Sequence, residues 1–198
     1  MTAIYLASRS PRRHELLTQM RVPHDVLVLP SAPGDDEPRL SGESPADYVS
    51  RTARDKALKG VVAIRKRGLA PRPILAADTT VILGNDVLGK PADRGDAARM
   101  LQQLSGARHE VRTALALAHG DALHEDVSST WVWFRALSAR DIQRYCDTNE
   151  PYDKAGAYGI QGLAGVFVER IEGSYTGVMG LPLFETARLL GHAGILVP

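Results

Sequence analysis

The sequence predicts an α/β fold, and three observations carry that reading. Residues 3–7 read as a strand that turns directly into a helix at Pro11. Residues 74–83 form a near-continuous apolar run between two helical segments, the pattern of a strand buried on both faces. Residues 108–118 alternate between apolar and polar, and residues 127–134 run back as their antiparallel partner. Strands interleaved with helices along the whole chain point to the α/β class.

The first strand ends in Tyr5-Leu6-Ala7. Ser10 then stands at the N-cap and Pro11 at the first helical position, with Leu16, Leu17 and Met20 continuing the helix. Arg12 and Arg13 occupy the first turn, where the macrodipole favours acids. Ser8 and Ser10 add hydroxyls beside the backbone N–H groups that a helix start leaves free. Such a turn is either an anion pocket, most naturally for phosphate, or a pair of arginines bound to carboxylates elsewhere. Residues 25–29 read as a short buried strand, and residues 30–44 as a loop rich in Pro, Ser, Gly and acid. Its centre, Asp35-Asp36-Glu37, is either solvated surface or a source of ligands for a hard cation. Ser44-Pro45-Ala46-Asp47 starts a helix that runs to about Lys66, with Val49, Ala53, Ala57 and Ile64 on its apolar stripe. Gly68 closes it, and Lys56 reads as a solvated flank.

Asp78 interrupts the apolar run of residues 74–83. A carboxylate there is costly unless it is paired, so it is either half of an ion pair joining two elements or a group aimed into a cleft from a rigid strand. Gly84-Asn85-Asp86 turns the chain into a hairpin that returns through Val87-Leu88 and ends in Gly89-Lys90-Pro91. This is no Walker A loop, yet Lys90 leaves the hairpin where a cation could meet phosphate. Residues 93–104 form a helix with Ala97, Met100, Leu101 and Leu104 on one face, closed by Gly106. On the strand 127–134, Trp131 and Trp133 share a face and serve either packing or a partner surface. Ser138-Ala139-Arg140-Asp141 is another box-like helix start.

Three glycines at three-residue spacing, Gly156, Gly159 and Gly162, make residues 152–162 a permissive loop that lets backbone approach a ligand. Gln161 within it could read a base edge, since an amide offers both donor and acceptor, or hold a backbone group. Residues 166–168 read as a strand, 173–175 as a loop and 182–190 as the last helix.

Composition narrows the function. The 198 residues are 44% hydrophobic and 24% charged, which suits one globular domain. Lys and Arg number 24 against 23 acids, so no bulk positive charge draws the chain to nucleic acid. A single cysteine, Cys146, allows no internal disulfide, and no apolar run is long enough to span a membrane. The start Met1-Thr2-Ala3-Ile4 carries no basic lead-in to a signal peptide, so a cytoplasmic protein is expected. The six histidines are scattered, with no HExxH or paired-cysteine spacing, and no GxSxG elbow suggests a triad hydrolase. The oddly placed polar residues are Ser8, Arg12, Arg13, Lys56, Asp78, Lys90 and Lys154, with Glu37 as a second acid. Cations with one strand-borne carboxylate suit phosphoryl chemistry better than covalent catalysis.

The order and spacing of several motifs resemble those of the Maf family. They are Leu6-Ala7-Ser8-Arg9-Ser10-Pro11-Arg12-Arg13, Asp36-Glu37, Asp55-Lys56-Ala57, Ala77-Asp78-Thr79, Gly89-Lys90-Pro91, Leu104-Ser105-Gly106 with His109, Asp153-Lys154-Ala155-Gly156 through Gln161-Gly162, and Gly180-Leu181-Pro182. The resemblance covers essentially the whole chain as a single domain. It implies an elongated mixed β-sheet flanked by helices, with two lobes around a cleft, similar to the inosine triphosphate pyrophosphatases. It implies hydrolysis of a nucleoside triphosphate between the α and β phosphates with a divalent cation, Mg²⁺ or Mn²⁺. Asp78 would accept the proton of water and touch the metal, and Glu37 would be a metal ligand. Lys56 and Lys90, with Arg12, Arg13 and Lys154, would hold the triphosphate, Ser8 bonding beside them. Arg12, Thr79 and Gln161 match positions tied to substrate choice. The string from Lys154 to Gly162 resembles the branch that prefers dTTP and UTP, the branch acting on 7-methyl-GTP being the alternative. The chain departs from the family pattern at Arg9 and Gly177. A homodimer is compatible with the resemblance, as is the contrasting reading of a nucleotide-binding regulator of cell division without turnover.

Overall fold

A ten-residue strand, β3 (Ile74–Leu83), sets the architecture. The computed structural model describes residues 3–30 and 38–197, so Glu37 and the acidic cluster around it lie outside the described residues. The other strands are β1 (Ile4–Leu6), β2 (His24–Val26), β4 (Asp86–Leu88), β5 (Arg108–His119), β6 (Ala122–Phe134) and β7 (Val168–Glu172). They form one sheet in the order β2-β1-β3-β5-β6-β7, with β4 paired to β3 beside that path. β1 runs parallel to β2 and β3, and all other pairs are antiparallel. The mixed sheet that the family resemblance implies is therefore present.

The pairing of β3 places the site. One edge is bonded to β5 from Ile74 to Ile82. On the other edge β1 reaches only Ile74 and Leu75, and β4 takes over only at Val81. Among the described residues, 76–80 have no strand on that edge. The chain leaving β1 and the chain leaving β4 both depart at this gap, as at a switch point in an open α/β sheet.

Three apolar clusters pack around the sheet. Two lie on opposite faces of its first half. Leu6, Leu17, Leu75, Leu117, Leu181 and Leu190 fill one. Val49, Ala53, Ala57, Ile74, Ala76 and Ala116 fill the other, beneath helix α2 (Pro45–Lys66). The third packs the remaining half against α3 (Arg94–Leu104) and α4 (Ala139–Cys146), with Val81, Leu101, Val132 and Phe134 at its centre. The cleft lies between these halves.

Local chemistry explains the helices. α1 (Pro11–Gln19) starts with proline, and its N-cap Ser10 makes no side-chain cap bond. In α2, Ser44 Oγ accepts from the Asp47 N–H, while Arg65 and Lys66 occupy the last turn. Gly60 lets α2 lie close on the sheet, because a Cβ there would come within 2.9 Å of Ile74. α3 is capped by Asp93, and α4 carries a full Ser138–Asp141 capping box. Cys146 is buried at the end of α4, as a packing residue.

Several segments depart from the sequence reading. The strand expected at residues 25–29 is the edge strand β2, and Val26 and Val28 are exposed while Leu27 reaches the core. An edge strand has one neighbour, so it buries less than its apolar pattern suggests. Residues 163–167 form a 3₁₀ turn, and the strand begins at Val168. The Glu150 carboxylate accepts the N–H groups of Leu163 and Ala164 and fixes that turn. The expected loop at residues 173–175 opens a short helix, α5 (Tyr175–Met179), capped by Ser174. It leads through Gly180 into α6 (Leu183–His192).

Candidate active site

The gap beside β3 opens into a cleft of about 880 Å³ that is floored by β3 and walled chiefly by four segments. They are the turn after β1, the inner face of α2, the exit of the β3–β4 hairpin and the loop of residues 152–161.

The first wall is the turn between β1 and α1. Ser8 Oγ accepts from the Ser10 N–H at 3.2 Å and from Arg13 Nη1 at 3.2 Å. Arg13 also donates from Nε to the Gly180 carbonyl at 2.8 Å and from Nη2 to Thr79 Oγ1 at 3.1 Å. All three acceptors are neutral. Burial lowers the pKa of Arg13, the Asp78 charge opposing the shift and Arg12 adding to it. A guanidinium stays charged through such a shift. Arg12 follows the other reading of the sequence, since its Nη1 bonds Asp153 Oδ2 at 3.0 Å. Arg9 ties the turn to the loop after β2 through the Leu29 carbonyl.

The floor is β3. Asp78 lies where residues 74–77 are fully buried on one side and Val81 and Ile82 on the other, and its own side chain is 15% exposed. It forms an ion pair with Lys56 of α2. Both sequence readings of Asp78 hold together: it joins two elements, and it lines the cleft. Lys59 lines the same wall one turn along from Lys56.

The far wall joins the hairpin exit to the glycine-rich loop. The Gly156 N–H donates to the Gly89 carbonyl at 3.0 Å, next to the exposed, cleft-lining Lys90. Gly156 has φ +67°, and a Cβ on it would strike Val81. Gly159 lines the cleft and serves a second purpose as well: a Cβ there would come within 2.8 Å of Lys154 Cε. The glycine thus makes room for a side chain of the same loop. Lys154 Nζ donates to Asp153 Oδ1 at 2.5 Å and to the Glu150 carbonyl at 2.6 Å. Burial raises the pKa of Asp153, but hydrogen bonds from Lys154 and Arg12 outweigh it and hold the carboxyl below its ordinary range. Tyr158 and the exposed Gln161 complete the wall. Behind it, the Tyr158 hydroxyl is hydrogen-bonded to Nε2 of the fully buried His109 at 2.8 Å.

The cleft therefore gathers Ser8, Arg12, Arg13, Lys56, Asp78, Thr79, Lys90, Lys154 and Gln161. Asp153, Lys59 and Tyr158 line it as well and were not singled out from the sequence. Lys59 had a signal, the i,i+3 spacing from Lys56 on one helix face. Chemically, the arrangement can hold a polyanion against the strand-borne carboxylate of Asp78.

Across residues 3–193 the chain matches the protein family described as Maf-like protein. The chain belongs to the Maf family. Of the motifs named for it in the sequence that fall within the described residues, all contribute residues to this cleft except Leu104-Ser105-Gly106 with His109, whose histidine lies behind the far wall. A Maf relative from Bordetella avium named dTTP/UTP pyrophosphatase is 64% identical over 98% of this chain and 97% of its own length. Relatives of the same name from Cupriavidus metallidurans and Dechloromonas aromatica are 52% and 47% identical, over 98% and 96% of this chain and 99% and 97% of their own. Among solved structures, that of the Staphylococcus aureus Ham1 protein is similar over 98% of this chain and 100% of its own, at 10% identity and a TM-score of 0.47.

Proposed function

We propose that this Maf protein is a nucleoside triphosphate pyrophosphatase that hydrolyses dTTP and UTP between the α and β phosphates, releasing the monophosphate and pyrophosphate. One observation carries the reading. Full-length relatives named dTTP/UTP pyrophosphatase share up to 64% identity with a chain whose cleft sets cations around a strand-borne carboxylate.

Arg12, Arg13, Lys90 and Lys154 neutralise the triphosphate, and Ser8 donates a hydrogen bond beside them. Lys56 orients the Asp78 carboxylate, which takes the proton of the attacking water as the α–β anhydride opens. Lys56 and Lys90 offset the charge that passes to the departing pyrophosphate. Gln161 bonds the edge of the pyrimidine, its amide matching an N–H and a neighbouring carbonyl. A divalent cation, Mg²⁺ or Mn²⁺, is the expected cofactor, since such ions take one or two carboxylates and complete their shell with phosphate and water. Asp78 and Glu37 would hold it, and when bound it would supply charge neutralisation at the phosphates. Near-balanced net charge supports free nucleotide rather than nucleic acid as the ligand. Among the described residues no helix is long and apolar enough to cross a membrane, in keeping with a cytoplasmic enzyme.

The test is a panel of canonical nucleoside triphosphates and 7-methyl-GTP, assayed for pyrophosphate with and without Mg²⁺ or Mn²⁺. Metal-dependent pyrophosphate from dTTP and UTP is expected; its absence from both, or release of orthophosphate instead, would overturn the proposal. Gln161→Glu is expected to lower pyrimidine turnover relative to the other nucleotides, and unchanged relative rates would remove Gln161 from base reading.

A further inference from the structure

Thr113 of β5 is fully buried, and the mechanism above gives it no task. Its hydroxyl nevertheless donates to the Gly177 carbonyl at 2.8 Å and lies 2.9 Å from Thr79 Oγ1. A threonine has one O–H proton. The Gly177 carbonyl can only accept, so Thr113 spends its proton there and must accept from Thr79. Thr79 then has no proton left, and its oxygen is free to accept from Arg13 Nη2 at 3.1 Å. The chain of bonds therefore runs one way, from Arg13 to Thr79 to Thr113 to Gly177.

The same bookkeeping applies to Arg13. A guanidinium carries five N–H donors. One bond goes from Nε to Gly180, one from Nη1 to Ser8 and one from Nη2 to Thr79. One N–H remains on each terminal nitrogen of this planar fork of donors, and both can meet phosphate oxygens. Each of the three bonds restricts the plane of that fork.

We infer that Thr113 is a positioning residue for anion binding, holding the Arg13 fork towards the cleft by fixing the hydrogen-bond direction of Thr79. The inference deepens the proposed function and rests on its assignment of Arg13 to phosphate. It also gives Gly177 and Gly180 a purpose. Gly177 supplies the terminal acceptor where a Cβ would come within 3.1 Å of Ser174 and 3.2 Å of Ser128. Gly180, at φ +108°, supplies the Nε acceptor, and a Cβ on it would come within 3.3 Å of Thr79 Oγ1 and 3.5 Å of Arg13 Nε. Thr79, to which the family resemblance gives a part in substrate binding, thereby acts through Arg13.

The experiment uses the full chain, with Thr113→Val as a near-isosteric replacement and Thr113→Ser as the variant that keeps the hydroxyl. Tripolyphosphate binding is measured by calorimetry, and steady-state kinetics are measured with UTP. Thr113→Val is expected to weaken tripolyphosphate about ten-fold and raise KM in proportion, with kcat within about two-fold; Thr113→Ser should stay near the parent. Parent-like tripolyphosphate binding by Thr113→Val, or equal losses in the two variants, would overturn the inference. If Thr113→Val does not fold, the Arg13 Nε–H nuclear magnetic resonance signal decides, compared between the parent and Thr79→Val. Faster exchange of that proton in Thr79→Val supports the relay, and unchanged exchange refutes it. A parent that binds tripolyphosphate, with the expected Val and Ser responses, yet releases no pyrophosphate from UTP would sink the proposed function and leave the relay standing.

Discussion

Asp78 shows how one residue can satisfy folding and chemistry with the same contact. Its ion pair with Lys56 offsets the cost of placing a carboxylate in a strand, and the pair faces the cleft rather than the core. Asp78→Asn is expected to lower pyrophosphate release at least about 100-fold, the usual scale for losing a positioned proton acceptor. Stability should change by no more than roughly 1 kcal/mol, because both side chains keep some solvent contact and the pair is screened. Activity within two-fold of the parent, with an unchanged melt, would reduce Asp78 to a structural tie. His109 behaves differently, since it is wholly enclosed. Burial pushes its pKa down to about 4 from an ordinary 6.5. The folded state therefore takes up this proton later than the unfolded chain does as pH falls. The stabilising balance is complete above about 6.5 and is lost as pH drops towards 4, by an amount approaching roughly 3 kcal/mol. Urea unfolding of the parent and of His109→Gln between pH 7.5 and 4.5 checks this. The variant should start less stable, since it loses packing against Phe134 and Tyr158, and should show the shallower fall with acid. Parallel pH curves would show that His109 does not carry the effect.

At the scale of elements, what could be read in the sequence depended on how local its cause was. The Ser44 and Ser138 caps, the apolar faces of α2 and α3, and the long strand β3 follow from residues within a few positions of one another. So does the crowding of cations in the turn after β1, because arginines at a helix start are out of place for local reasons. The bonds that orient those arginines are not local. Arg13 meets Thr79 across 66 residues, and Thr79 meets Thr113 across 34. No pattern in a single strand reveals which hydroxyl of another strand lies beside it. Helix α5 escaped notice because it has five residues with a glycine in the middle, too few to show a period. Yet the carbonyl of Gly180 at its end accepts from Arg13, and that of Gly177 in its middle accepts from Thr113. Gly180→Ala tests that role. Forcing a Cβ into φ +108° beside Thr79 and Arg13 should cost about 1–2 kcal/mol of stability and raise KM for UTP more than it lowers kcat. A variant with parent-like KM and an unchanged melting temperature would show that this end of α5 yields without disturbing the arginine.

Over the whole molecule, the cleft is a seam in a continuous sheet, and that limits how a ligand can act. β3 and β5 run unbroken through both halves, whereas β1 and β4 each support only one. Cations reach the seam from both halves, with Arg12, Arg13 and Lys56 on one side and Lys90 and Lys154 on the other. Arg12 and Asp153 bridge the two walls at 3.0 Å. A triphosphate lying across the seam would replace one exposed ion pair by several charge-assisted contacts, and both halves would gain from the same binding event. A non-hydrolysable UTP, with methylene between the α and β phosphorus atoms, isolates binding from turnover. At 100 times its dissociation constant it should stabilise the folded state by about 2.7 kcal/mol. For a chain of this length that is a rise of roughly 5–10 °C in Tm, read by calorimetry as one transition that moves without splitting. Combining the analogue with Arg12→Ala or Lys154→Ala should shrink the shift at fixed analogue concentration, one variant testing each wall. If only one of two resolved transitions moved, the ligand would be bound to a single half, and the seam would be no more than the boundary between them.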